Sequence, residues 1–287
     1  MIDQPTDPSV EGKVCIVTGG PRGLGRAMTL ALVNAGAKVI APGHIADDIP
    51  LMEEDGRTAA RNSGGEVHPM VADLRNEEAC ADIVQTALDR FDRVDVLVNN
   101  AGLGMRPFSE DFMTDPVKFW ETSIPQVRAT FDTNIMGPFH MAALAVPHMV
   151  KQGWGRVVNV TTSIGTMQRK GFFPYGPSKA GLEAATHVWS EDLADTGVTA
   201  NVLIPGKAAL TEIMPEEWRT QGAHRSGSEP NVPEVMAPPI LWLASNASDG
   251  FNGLRFEADK WDTTLDPTDS ARNNMRPVGF NLRDANL

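Results

Sequence analysis

The sequence has 287 residues, 41% hydrophobic and 22% charged, which is enough apolar content for the core of one large α/β domain and excludes a disordered chain. Its formal net charge of −12 argues against duplex nucleic acid or an anionic membrane as partner, since both select a basic surface. Two cysteines, Cys15 and Cys80, are too few for a disulfide framework and suit a reducing, cytoplasmic compartment. The first residues, MIDQPTDPSVEGK, lack the charged and apolar regions of a signal peptide. No apolar run reaches the roughly 18 residues of a membrane span; the longest, 141–150, is broken by Pro147 and His148. Beside 11 Phe and 6 Trp there is one tyrosine, Tyr175.

In chain order, short β-branched runs at 14–18, 38–41, 66–71, 94–99, 156–160, 199–204 and 253–258 alternate with segments of helical period. That alternation predicts a doubly wound parallel sheet, a single Rossmann-like α/β domain with ligands at the carboxyl ends of its strands. Within 76–91, Ala79, Ile83, Val84, Ala87, Leu88 and Phe91 form one apolar stripe, and Asn76 before two glutamates marks the helix start. Three segments have no clear period: 42–64, 103–125, and 206–240, whose five prolines read as a mobile flap. The domain is expected over 1–261, followed by a polar, extended C-terminal tail over 262–287 that is either disordered or docked on a neighbouring subunit.

The first strand runs into TGGPRGLG at 18–25 and then into a helix. A glycine-rich turn in that position lets backbone approach a pyrophosphate, and the helix N-terminus offers free N–H groups and a positive dipole end. Further along stand VNNAG at 98–102, Asn134 in FDTNIMGPF, a hydroxyl cluster at 161–163, YGPSK at 175–179 and Pro205-Gly206. Tyr175 and Lys179 share a stripe with Leu182, Thr186, Trp189 and Leu193, which puts phenol and ammonium on one helix face. A free phenol titrates near 10, and a fixed ammonium one turn away, with a cationic ligand beside it, lowers that value toward acid/base use. The six histidines never pair with cysteine or acid at ligand spacing, so no metal site is indicated.

Taken together, these ordered motifs resemble the short-chain dehydrogenase/reductase family over about residues 10–258. The resemblance implies that Gly19, Arg22, Gly23, Leu24 and Gly25 hold the dinucleotide, that Asp73 and Leu74 meet the adenine, and that Asn100, Ala101 and Gly102 flank its ribose. It further implies that Tyr175 exchanges the proton, Lys179 tunes Tyr175 and holds the nicotinamide ribose, and Asn134 supports a proton relay. A hydroxyl before the tyrosine orients the substrate oxygen; Ser163 is the first choice by residue type and Thr162 the second by spacing. Pro205 and Gly206 match the nicotinamide side. Relatives carry a threonine nearer that glycine than Thr211, which is therefore a candidate only.

The end of the second strand bears on cofactor choice, because an acid there bonds the ribose 2′-OH and repels a 2′-phosphate. Gly43 stands about where NAD-using relatives carry that acid, and Arg22 stands where NADP-using relatives carry a base. NADP(H) is thus favoured over NAD(H), although Arg22 equally suits a surface acid and Asp47 or Asp48 can mimic the missing one. The implied activity is hydride transfer between the nicotinamide and a carbonyl or secondary-alcohol carbon of a small molecule, by a homodimer or homotetramer. A lyase or epimerase with retained cofactor, and a non-catalytic nucleotide sensor, are the rival readings.

Overall fold

The β-branched runs become the buried strands of one sheet, and the structure, a computed structural model, describes residues 9–216, 219 and 229–279. The strands β1 (Val14–Val17), β2 (Lys38–Gly43), β3 (Glu66–Val71), β4 (Val96–Asn99), β5 (Gly155–Val160), β6 (Val198–Ile204) and β7 (Leu254–Glu257) lie within two residues of the predicted bounds. All are parallel, and a short β8 (Arg276–Pro277) adds antiparallel to β7, in the order β3-β2-β1-β4-β5-β6-β7-β8. Every residue of β1, β4, β5 and β6 is buried, as expected for strands covered on both faces. The chain winds from β1 out to β3 and resumes at β4 on the other side of β1. Strand order therefore reverses between β1 and β4, and a crevice opens at their carboxyl ends.

One face of the sheet packs on α1 (Gly23–Asn34) and α8 (Ala237–Leu243), with Met28, Leu32, Met236, Ile240 and Trp242 in a common core. The other face packs on α3 (Glu77–Phe91) and α5 (Gly137–Gln152), through Ile83, Val84, Met141 and Met149. The start of α3 is the predicted one: the Asn76 side chain accepts from the N–H groups of Glu78 (2.8 Å) and Ala79 (3.3 Å). Between α3 and α5 runs α4 (Ile124–Phe131), which passes through a π-helical turn at Asp132–Met136. The short α6 (Ile164–Met167) and the long α7 (Tyr175–Asp192) follow β5.

Three sequence expectations change. Residues 42–64 contain α2 (Asp48–Ala59), which buries only Met52 and Gly56 and so leaves almost no apolar stripe to read. In the expected flap, residues 229–240 belong to the body: Met236 and Ile240 are fully buried, and Pro238 and Pro239 occupy the first turn of α8, where a missing N–H costs nothing. Residues 217–218 and 220–228 of that segment lie outside the described residues.

The expected tail is not extended over 262–279. Asp266 caps α9 (Pro267–Asn274) by accepting from the Thr268 N–H, and Ala271 enters the core beside Trp242. The Trp242 indole donates to Thr268 Oγ1 (3.1 Å). Asn274 clasps the backbone of Glu257, accepting from its N–H (3.0 Å) and donating to its carbonyl (2.8 Å). A helix that buries only Ser270, Ala271 and Asn274 reads as polar chain. The final residues, 280–287, lie outside the described residues. Among the described residues no helix is long and apolar enough to cross a membrane.

If residues 262–279 are part of the folding unit, Asn274→Ala leaves two Glu257 backbone groups without partners and should cost about 1–3 kcal/mol. Urea unfolding measures this; an unchanged midpoint would mean that the segment adds nothing to stability.

Candidate active site

The crevice is a cavity of about 400 Å³ over the carboxyl ends of the strands. Its floor is the glycine turn between β1 and α1. Gly19 and Gly23 have φ of +65° and +53°, a conformation that strains any side chain. At Gly25 an added Cβ would overlap the Gly19 carbonyl oxygen. The α1 N-terminus has no side-chain cap and no acid in its first turn, so its N–H groups remain available to an anion. Thr18 joins this turn to the next strand: its hydroxyl accepts from the N–H groups of Asn100 (3.0 Å) and Ala101 (3.1 Å). The Asn100 amide in turn donates to the Thr18 carbonyl (2.8 Å). A bare, positively polarised cradle of this kind fits a dinucleotide pyrophosphate.

The opposite wall is α7 and the strand end beneath it. Tyr175 and Lys179 line the cavity one helical turn apart, Lys179 buried and Tyr175 partly buried. Burial pushes the Tyr175 phenol up to about 12, an effect partly opposed by the side-chain hydrogen bond from Thr162. The lowering expected from the sequence belongs to the cofactor complex, where a nicotinamide cation adds to the ammonium; in the protein alone loss of water dominates. Burial pulls Lys179 down to about 8, and its ammonium donates to the Val160 carbonyl (2.8 Å). A Cβ on Gly102 would lie 3.3 Å from both Lys179 Nζ and Asn134 Oδ1, so the bare glycine leaves the two groups facing one space.

Of the two candidate hydroxyls, Thr162 lines the cavity and bonds the phenol. Ser163 instead serves as the N-cap of α6, accepting from the Thr166 N–H (3.1 Å) and sharing a bond with the Thr166 hydroxyl (2.9 Å). Of the pair, Thr162 is the one on the cavity lining and Ser163 is the one engaged in a helix cap. Asn134 sits in the π-helical turn, fully buried, and ties the Leu103 backbone (2.8 and 3.0 Å) to Ser178 of α7 (2.9 Å).

The remaining sequence candidates divide. Gly19, Arg22, Gly23 and Leu24 line the cavity, as do Asn100, Ala101 and Gly102, and Pro205, Gly206 and Thr211. Thr211 lies over the glycine turn, its methyl 3.2 Å from the Cβ position of Gly23. Gly43 instead packs on the Pro21 ring, and the next residue, His44, takes the place on the cavity wall. Asp73 is not on the wall. Its carboxylate grips Arg75, two residues on, in a bidentate pair (2.5 and 2.9 Å) that holds it below the usual carboxylate range. Leu74 is a core residue against Gly137. Arg22 is paired with Asp48 at 2.7 Å, which is both the surface-acid pairing and the fold-back of Asp48 that the sequence allowed.

Sequence reasoning missed the group that holds this wall in place. Arg255 of β7, buried, donates to Glu183 Oε2 (2.5 Å) on α7 and to the Thr162 carbonyl (2.7 Å). Thr161 donates to the same Glu183 oxygen (2.8 Å). One guanidinium thus joins the backbone of the hydroxyl residue to the helix that carries Tyr175 and Lys179. The spacing Lys179-x-x-x-Glu183 put the acid on the catalytic face. Nothing in the sequence distinguished Arg255 from a surface arginine.

The profile of the short chain dehydrogenase family matches residues 13–222. The chain is 31% identical over 252 residues to the 3-oxoacyl-(acyl-carrier-protein) reductase FabG of Thermotoga maritima, covering 85% of this chain and 95% of that one. It is 32% identical over 215 residues to the D-beta-hydroxybutyrate dehydrogenase of Rhizobium meliloti, covering 73% and 78%. Among solved structures, a provisionally assigned NAD(P) dependent gluconate 5-dehydrogenase from Beutenbergia cavernae, with NADP bound at low occupancy, superposes with a TM-score of 0.74 at 25% identity, covering 89% and 97%.

Removing Arg255 alone, as in Arg255→Leu, strands Glu183 as a buried unpaired charge and should cost about 3–5 kcal/mol. The double variant Arg255→Leu/Glu183→Leu should recover most of that loss in urea unfolding. Equal destabilisation of the two variants would refute the pairing.

Proposed function

The chain belongs to the short-chain dehydrogenase family and is an NAD(P)-dependent oxidoreductase, and we propose that it is an NADP(H)-linked reductase of small ketones or aldehydes in which Tyr175 is the proton donor. The observation that carries this reading is the joint placement of Tyr175, Thr162 and Lys179 on the cavity wall. When bound, the nicotinamide supplies or accepts the hydride. Gly19, Gly23, Leu24 and the α1 N-terminus would hold the pyrophosphate, and Asn100 to Gly102 with Lys179 the riboses. This assignment rests on the cavity lining and on the bare glycine turn.

The chemistry of the chain's own groups favours reduction. A phenol pushed up to about 12 stays protonated at neutral pH and is ready to give its proton to a developing alkoxide. Thr162 can donate a second hydrogen bond to the same oxygen, in a pocket where dryness strengthens it. Lys179, at about 8, is mostly protonated at pH 7; its positive charge stabilises the phenolate left behind. Asn134, in its π-helical turn beside Lys179, is positioned to support reprotonation from solvent.

Preference for NADP(H) rests on three features: no acid ends β2 at Gly43, and Arg22 and His44 line the wall at that point. Asp48 accepts from Arg22 Nε (2.7 Å), which leaves the two terminal nitrogens of the guanidinium as donors for a phosphate. A homodimer or homotetramer is the assembly expected from the family, with a small carbonyl or alcohol as substrate.

Tyr175→Phe should abolish NADPH oxidation on any accepted ketone while NADPH binding, read by fluorescence, persists. Thr162→Ala should lower kcat/KM about 10- to 1,000-fold, and Ser163→Ala should act mainly on stability; the reverse order would restore Ser163 to the catalytic role. In the reductive direction the rate should fall as pH rises through about 8, where Lys179 loses its proton; a rate that climbs through that range would count against the donor assignment. Separately, Arg22→Leu should raise KM for NADPH about tenfold or more and leave KM for NADH within about twofold. Equal effects on both cofactors would overturn the NADP(H) preference.

A further inference from the structure

The charges on the cavity wall run against those of the protein. The whole chain carries −12, yet the described residues lining the cavity include Arg22, Arg106, Arg169, Lys179 and Lys207 against one acid, Glu212. Three of these cations are already committed. Arg22 is paired with Asp48, Arg106 with Glu110, and Lys179 donates to the Val160 carbonyl. Arg169 and Lys207 have no carboxylate within ion-pair distance among the described residues. Both line the cavity with exposed side chains, open to an anion that enters it.

Arg169 is the better placed of the two. Its guanidinium lies 4.9 Å from the centroid of Phe172. Phe172 is buried in a small apolar cluster with Met105 and Phe112, and Tyr175 packs against that cluster. The cation thus contacts Phe172, whose cluster also receives Tyr175. Stacking on an aromatic face fixes the plane of a guanidinium and leaves its N–H edge free for a planar, two-point contact. A carboxylate matches that fork. The apolar groups beside it suit a short hydrocarbon body between carboxylate and carbonyl.

We infer that the substrate is an oxo acid, or in the reverse direction a hydroxy acid, whose carboxylate is received by Arg169 while its carbonyl oxygen lies at Tyr175 and Thr162. This rests on the oxidoreductase reading and adds the substrate class. Lys207, which follows Gly206 and has its backbone N–H held by Asp259 (3.2 Å), supplies a second positive charge to the same wall. In a protein of net charge −12, such a local patch is also what admits an anion against long-range repulsion.

The test compares acetoacetate and levulinate with their methyl esters as substrates for the NADPH-loaded wild type and for Arg169→Gln. The wild type should favour the acid over its ester, and Arg169→Gln should reduce the acid-to-ester ratio of kcat/KM about 10- to 100-fold, chiefly through KM of the acid. Added salt should weaken the acid alone. An ester used as well as its acid, or a ratio unmoved by Arg169→Gln, overturns the inference. Should no acid, ester or neutral ketone be turned over, the reductase reading itself fails. The inference is then decided by fluorescence titration of the two acids into the NADPH complex. Binding that Arg169→Gln weakens supports the carboxylate site, and absence of binding overturns it.

Discussion

Helix α7 has to hold a phenol and an ammonium in a dry place, and the whole site depends on the polar contacts that fix it to the sheet. The Asn99 amide of β4 donates to Asn159 of β5 (2.9 Å), and the Asn159 amide donates to Thr186 of α7 (2.8 Å). Glu183, one turn earlier on α7, meets Arg255 from β7 and Thr161 from the end of β5. Asn159, Thr161 and Arg255 therefore grip one helix through buried hydrogen bonds, and Asn99 backs the first of them. Hydrophobic packing is indifferent to small slides and rotations, whereas a buried polar pair is costly to misalign. That asymmetry makes the position of Tyr175 and Lys179 a single, well-defined one.

Burial has opposite effects on the two groups, and the pair benefits from both. The phenol is harder to ionise and the ammonium easier to neutralise than in water. Each shift opposes the charged form of its group, and a charge brought by a bound cofactor would act on the pair with little screening by water. The residues that position these groups from behind (Arg255, Glu183, Asn134) do not line the cavity. They occupy the layer between catalytic wall and sheet, where a small displacement is transmitted to the reacting atoms.

Much of this was legible in the sequence because it follows from local rules. The glycines at 19, 23 and 25 are forced by backbone geometry, and Tyr175 and Lys179 follow from helical spacing. The strands follow from β-branched runs. What escaped depends on tertiary context. Ser163 has the favoured residue type, but three residues on stands Thr166, and the pair serves as the cap of a four-residue helix. Asp73 is named as an adenine ligand by its place after the third strand, and only the fold shows that Arg75 also engages its carboxylate. Arg255 is an arginine in a strand, and only the fold reveals that Glu183 and the Thr162 carbonyl converge on it. The segment after Asp262 has the composition of a tail, and its place on the body is set by a cap, one alanine and one asparagine.

The outer strands of the sheet have a bearing on how the protein behaves at high concentration. An open sheet offers a row of unpaired backbone groups at each border, and those borders are templates for filament growth. Here β3 carries Pro69 near its middle and β8 is only two residues long, ending in Pro277. Proline has no N–H to offer a newcomer, and a two-residue strand gives it almost nothing to align on. The segment that looked like a loose appendage thus ends the sheet on one side, as Pro69 does on the other, and guards the molecule against edge-to-edge polymerisation.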